Sequence, residues 1–179
     1  MAQLRTVFPV LVALGMAAAG CLSVRADAPE VRLTRTDLQM PAAGLALGGR
    51  PVSVTVRFDS PYEPVELPSG VDSELRPDSL TLTSTSGIAD LSVIDSFQVR
   101  IGATDPTAPP PALLFDRQSP FDSLSGTQLV ATTELHPNVL DYWTKEGAWY
   151  ELTVTGALPD HVWIADLEVT FSGTASYTP

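Results

Sequence analysis

The chain is poor in the residues on which most catalytic and metal chemistry depends. Its 179 residues include one cysteine, Cys21, and two histidines, His136 and His161. A transition-metal centre draws on several thiolate or imidazole ligands, and two histidines far apart in sequence are too few. Neither histidine lies in a recognisable nucleophile motif, and no Gly-x-Ser-x-Gly elbow occurs. Lysine is nearly absent, Lys145 being the single example, and ten Lys+Arg stand against 21 Asp+Glu. A surface this acidic repels phosphate backbones, and the arginines are scattered rather than clustered, so no nucleic-acid partner is expected. Long helical periodicity is also missing, and the one sustained apolar run, Thr6 to Met16, falls short of the ~20 residues that cross a bilayer.

What the chain does contain is alternation. In "PVSVTVRF", Pro51 to Phe58, Val52, Val54, Val56 and Phe58 alternate with Ser53, Thr55 and Arg57. Period two places the apolar residues on one face of a half-buried strand. Weaker strands are expected at Glu30–Leu38, Ser79–Thr85, Ala112–Asp116, Thr127–Leu135 and Ala148–Gly156. Phe97, Val99 and Ile101 share a face, but extending it backwards meets Asp95, so a bulge or break is expected near Ile94–Ser96. The final run, Val162 to Tyr177, reads as the longest strand, with Trp163, Ala165, Leu167, Val169 and Phe171 on one side. Between these lie "DSPYEPVELPSGVDSELRPDS", Asp59 to Ser79, a proline-rich loop with a short edge strand at Val65–Leu67, and a second proline-rich loop at Ala103–Pro111. Asn138 is placed to cap a single helical turn holding Val139, Leu140 and Trp143, stopped by Gly147. About eight strands without crossover helices predict an all-β fold, a single antiparallel β-sandwich of immunoglobulin-like or similar type, over residues 30–179.

The N-terminus carries a different signal. Arg5 gives a short positive region, Thr6 to Met16 an apolar one, and Ala18, Ala19 and Gly20 small residues before a cut site. Cys21 follows directly. This pattern, a signal helix over residues 1–20 and then Ala-Ala-Gly-Cys, resembles the lipobox of bacterial lipoproteins, with Ala18 where that family prefers leucine. The resemblance implies that Cys21 is alkylated by diacylglycerol, cleaved at its amino side and acylated on the new amine. Each methylene placed in the membrane contributes roughly 0.8 kcal/mol, so two or three chains hold a protein where one does not. Leu22 stands where an aspartate would resemble an inner-membrane retention signal, so the expected location is the bacterial cell envelope, lipid-anchored, on the outer membrane where the cell has one. Residues 21–29 then read as a lipidated tether of about 20–30 Å between membrane and domain. With Cys21 consumed, no disulfide braces the body and no cofactor is expected. The stretch from Asp90 to Ser176 also resembles uncharacterised secreted bacterial sandwich proteins, through "IDSF", "LDY" and "FSGT"; that likeness implies a fold and no activity.

Three sets of residues are candidates for chemistry in the body. Asp72, Glu74 and Asp78, in "DSELRPD", offer carboxylates for calcium if they lie in a loop, although their spacing matches no defined loop motif. Tyr142, Trp143 and Trp149 would form a stacking platform for a sugar or a partner side chain if exposed together; core packing is the simpler reading. His136 and His161, with Asp72 and Glu74, are the groups a hydrolase would use; two histidines in surface turns is the simpler reading there. The reading that follows is a non-catalytic membrane-anchored lipoprotein that displays a β-sandwich to an envelope protein or a glycan. The alternative is a secreted hydrolase or a calcium-dependent carbohydrate-binding domain.

Overall fold

The computed structural model describes residues 24–44 and 50–177, so the signal segment and Cys21 lie outside the described residues. Among the described residues nine strands build two antiparallel sheets. They are β1 (Val24–Met40), β2 (Val52–Asp59), β3 (Val71–Ser86), β4 (Ile94–Ala103), β5 (Ala112–Gln118), β6 (Ser123–Ser125), β7 (Gln128–Thr132), β8 (Ala148–Gly156) and β9 (Trp163–Tyr177). One sheet runs β1-β9-β3-β7-β6 and the other β2-β8-β4-β5. A single helical turn, α1 (Leu140–Trp143), and a 3-10 turn at Leu91–Val93 interrupt the connections. The chain is an all-β sandwich.

The inner faces follow the alternation of the sequence. Leu33, Leu80, Leu82, Trp163, Leu167, Val169 and Phe171 from the first sheet meet Phe97, Val99, Ile101, Phe115, Tyr150, Leu152 and Val154 from the second, and all are buried. No described residue is a cysteine, so this apolar contact carries the stability, at roughly 1.5–3 kcal/mol for each fully buried large side chain before entropy is charged against it. The break expected near Ile94–Ser96 is present as a register shift between Ile94 and Ser96 where β4 pairs with β8.

Several expectations fail, the first because proline was given too much weight. Residues 59–79 are not one long loop: β3 begins at Val71 and runs sixteen residues through Pro77. Pro77 is accommodated because the β3–β9 register shifts between Pro77 and Ser79, where a ladder N–H is not required. No strand forms at residues 65–67. The expected tether is also corrected. Residues 24–28 pair with residues 173–177, Val24 opposite Tyr177 and Ala28 opposite Gly173, so β1 starts six residues before the sandwich was expected to begin. Pro29 lies in the register shift between Ala28 and Val31, which lets the strand continue past it. At seventeen residues β1, not β9, is the longest strand.

As an edge strand, β1 carries its own protection. It has two register shifts, at Ala28/Val31 and Arg35/Leu38, and charged side chains along its solvent side. Asp37 sits in the second shift with φ 55, and its N–H donates to Asp166 Oδ1 at 2.9 Å. Bulges and charges of this kind disrupt the repeating array that a foreign strand would pair with.

Candidate functional site

The long strands β1, β9 and β3 give the molecule two distinct ends. The basal end holds the start of β1, the end of β9, the start of β3 and the connection leading into α1. The distal end holds the turns at residues 87–90 and 157–162. This axis decides the fate of each candidate group.

Asp72, Glu74 and Asp78 lie on β3, not in a loop. Six residues of strand separate Asp72 from Asp78, about 20 Å, whereas calcium holds its oxygens at roughly 2.3–2.6 Å. Glu74 is engaged by Arg76 at 2.8 Å, and Asp78 Oδ1 accepts from the Ser172 hydroxyl at 2.9 Å. No group of three or more His, Cys, Asp or Glu among the described residues is placed to hold a metal ion. The loop expected to present these carboxylates is thus replaced by a strand.

Tyr142, Trp143 and Trp149 are all buried, and they do not form an open platform. The Tyr142 hydroxyl donates to the Pro110 carbonyl at 2.7 Å. Trp143 packs edge-on against Phe171, with ring centroids 5.3 Å apart, and tilted against Tyr62 at 5.0 Å. Its indole N–H donates to the Tyr150 hydroxyl inside the core. Burial pushes the Tyr150 phenol far above its usual pKa, so it stays neutral and remains an acceptor for that N–H. Trp149 points the other way, to the outer face of the four-stranded sheet, but it lies across Gly102 and under Arg57, whose guanidinium carbon is 3.7 Å from the ring centroid. A side chain at residue 102 would occupy the space the indole fills.

His136 and His161 are at opposite ends. His136 is next to the connection in which Asn138 bonds β3 at Ser73 and Leu75. His161 bonds the Gly87 carbonyl, just past the other end of β3. Eleven residues of strand, about 36 Å, separate Leu75 from Ser86. The two imidazoles therefore cannot share a site. His161 is a clasp in its own right: Nδ1 is 3.2 Å from Asp160 Oδ1 and Nε2 is 2.9 Å from the Gly87 oxygen. Both partners are acceptors, so the doubly protonated ring satisfies them best. The Asp160 carboxylate first, then the Gly87 carbonyl, raises its pKa.

Cross-strand register reveals features that alternation alone does not. On the outer face of the four-stranded sheet, Ser53 pairs with Thr155 and Thr55 with Thr153, hydroxyls 2.7 and 2.9 Å apart. Gln98 donates to Asp116 at 3.2 Å in the same row as the second pair. Next to these, Arg57, Glu151 and Arg100 lie side by side on β2, β8 and β4. The result is a polar array of alternating donors and acceptors on a two-sided hydrogen-bonded sheet. At the end of β7, Asp122 Oδ2 accepts from both the backbone N–H and the hydroxyl of Thr132, and its Oδ1 accepts from Arg117 at 3.1 Å. The Thr132 N–H first, then its hydroxyl, holds the Asp122 carboxyl below its usual range. The serines and threonines that build the array are visible in the sequence, but which of them become neighbours depends on register, which is a tertiary property.

No helix among the described residues is long and apolar enough to cross a membrane; this leaves β-barrels unaddressed. No family model matches the chain, and no curated protein matches it. Among solved structures it is similar to a chain in the structure of infectious bursal disease virus, Gx strain, at 12% identity and TM-score 0.37, over 84% of this chain and 36% of that one. It is also similar to the decameric BFDV capsid protein, at 13% identity and TM-score 0.38, over 83% of this chain and 98% of that one. The Washington University polyomavirus VP1 pentamer matches at 8% identity and TM-score 0.30, over 86% and 97% of the respective chains. The chain spans about a third of the length of the first of these, and likenesses of this size carry no argument.

Proposed function

We propose that the chain is a lipid-anchored protein of the bacterial cell envelope that displays a non-catalytic β-sandwich as a binding or structural module. The observation that carries this reading is the position of Cys21. It follows Ala-Ala-Gly at the end of an apolar export segment, and only Leu22 and Ser23 separate it from the first strand of the body. Cleavage before Cys21 removes the signal and leaves every paired residue of β1 intact. Attachment by two or three acyl chains then needs nothing further from the body. Leu22, rather than an acidic residue after the cysteine, favours the outer membrane as destination.

The body offers a polar surface on one sheet face. The hydroxyl, amide and guanidinium array on the outer face of the four-stranded sheet suits contacts with a glycan or an envelope protein, both of which present mixed donors and acceptors. The separation of the two histidines and the engagement of Glu74 and Asp78 support the non-catalytic reading over a hydrolase.

Labelling with radioactive palmitate tests the anchor. The wild-type chain is expected to take up label and to appear in the membrane fraction, and Cys21→Ser to remain unlabelled and at precursor size. A Cys21→Ser protein that is cleaved normally and released in soluble form would overturn the assignment.

A further inference from the structure

We infer that the anchored protein stands directly on the lipid surface on its basal end, with the distal turns held outermost, and that the surface it rests on is a neutral one. The inference rests on the acylation of Cys21 proposed above. Its new element is the missing tether. Val24 is already hydrogen-bonded into the sheet opposite Tyr177, so three residue steps separate the acylated cysteine from the folded body. Fully extended, they reach about 10–11 Å. From that end the sheet runs from Tyr177 to Trp163, fourteen steps or about 46 Å, to the distal turn containing Asp160 and His161. A body so much longer than its leash cannot present both ends to the membrane equally. The Ser69–Gly70 turn, which leads into Val71 opposite Tyr177, is held close to the headgroups.

Charge selects the kind of surface. The basal end exposes Asp27, Glu63, Glu66, Asp72 and Asp141 against Arg25, while Arg76 is tied to Glu74, so acidic groups outnumber basic ones there. Anionic headgroups would repel this end, and zwitterionic ones would not.

The test uses the full lipidated chain, purified and added to preformed phosphatidylcholine vesicles. Two variants carry one new thiol each, Ser69→Cys at the basal end and Asp160→Cys at the distal end, both in exposed turns. The rate of reaction with a maleimide-polyethylene glycol is read on vesicles and again in detergent. Ser69→Cys is expected to react several-fold more slowly on vesicles than in detergent, and Asp160→Cys at the same rate in both. A twenty-residue Gly-Ser insert between Ser23 and Val24, adding about 25 Å of root-mean-square reach, is expected to abolish the difference. Adding phosphatidylglycerol is expected to narrow it. If the chain does not float with the vesicles, the anchor is wrong and the inference falls with it. If it floats and both thiols react as they do in detergent, the anchor stands and the docked end is refuted.

Discussion

Replacing Asn138 separates two accounts of one side chain. As a helix cap, its Oδ1 accepts from the Leu140 N–H at 3.2 Å. It also extends the edge of β3: Oδ1 accepts from the Leu75 N–H at 3.0 Å, and Nδ2 donates to the Ser73 carbonyl at 3.2 Å. Beside it the Val139 N–H donates to the Leu75 carbonyl at 2.8 Å, so this short segment does for β3 what a neighbouring strand would do. Each net hydrogen bond contributes about 0.5–1.5 kcal/mol, and part-buried backbone groups left without partners cost more than exposed ones. Asn138→Ala removes these three bonds and a longer one from Nδ2 to Asp141 Oδ1 at 3.4 Å, and is expected to cost about 2–3 kcal/mol. At about 2–4 °C per kcal/mol for a domain of this size, that is a fall in Tm of roughly 5–10 °C. Asn138→Asp is the informative control. Aspartate caps a helix as well as asparagine does, so a pure cap would tolerate it. It cannot donate to Ser73, and it sets a negative charge against that carbonyl and near Asp141, so the strand-extending role predicts a loss close to that of alanine. Urea unfolding followed by circular dichroism measures both. An Asn138→Asp protein as stable as wild type, or an Asn138→Ala loss below about 0.5 kcal/mol, would refute the reasoning.

Three further outcomes follow from single contacts. Tyr150→Phe leaves the buried Trp143 N–H without its acceptor and is expected to cost about 1–3 kcal/mol, while a Trp143→Phe/Tyr150→Phe pair should cost less than the sum of the two single changes, which a double-mutant cycle in urea reads directly. The His161 pKa is raised in the fold, so its clasp contributes in full below the unfolded value near pH 6.5 and is lost as pH rises through the folded value; proton NMR should show the His161 midpoint falling in Asp160→Asn. The Asp122 pKa is lowered, so its contribution is present above the unfolded value near pH 3.9 and is lost as pH falls through the folded value; Asp122→Asn should therefore be less stable than wild type at neutral pH, with the gap closing in thermal scans as pH falls through that lowered value.

The sequence was most informative where burial is one-sided. Val54 and Phe58 of β2, Phe97, Val99 and Ile101 of β4, and the five apolar residues of β9 face inward as their alternation predicts. It was least informative where proline and pairing compete. Pro29 and Pro77 look like strand breakers from local chemistry alone, yet both are absorbed by register shifts that only the partner strand β9 creates. The same blindness turned Asp72, Glu74 and Asp78 into a loop and residues 24–29 into a tether. Trp149 illustrates a different limit. Alternation correctly sets it opposite Tyr150, but its burial depends on Gly102 and Arg57, from strands 47 and 92 residues back along the chain when counted by number. The polar array of the outer sheet face was missed for the same reason: composition supplies the threonines, and register makes them neighbours.

The central claim is that a thiol three residues ahead of β1 joins this sandwich to lipid. Intact mass spectrometry of the mature protein's N-terminal peptide tests it most directly. The account predicts that the peptide begins at Cys21 and carries the mass of a diacylglycerol and an added acyl chain; an unmodified N-terminus beginning downstream of residue 21 would contradict it.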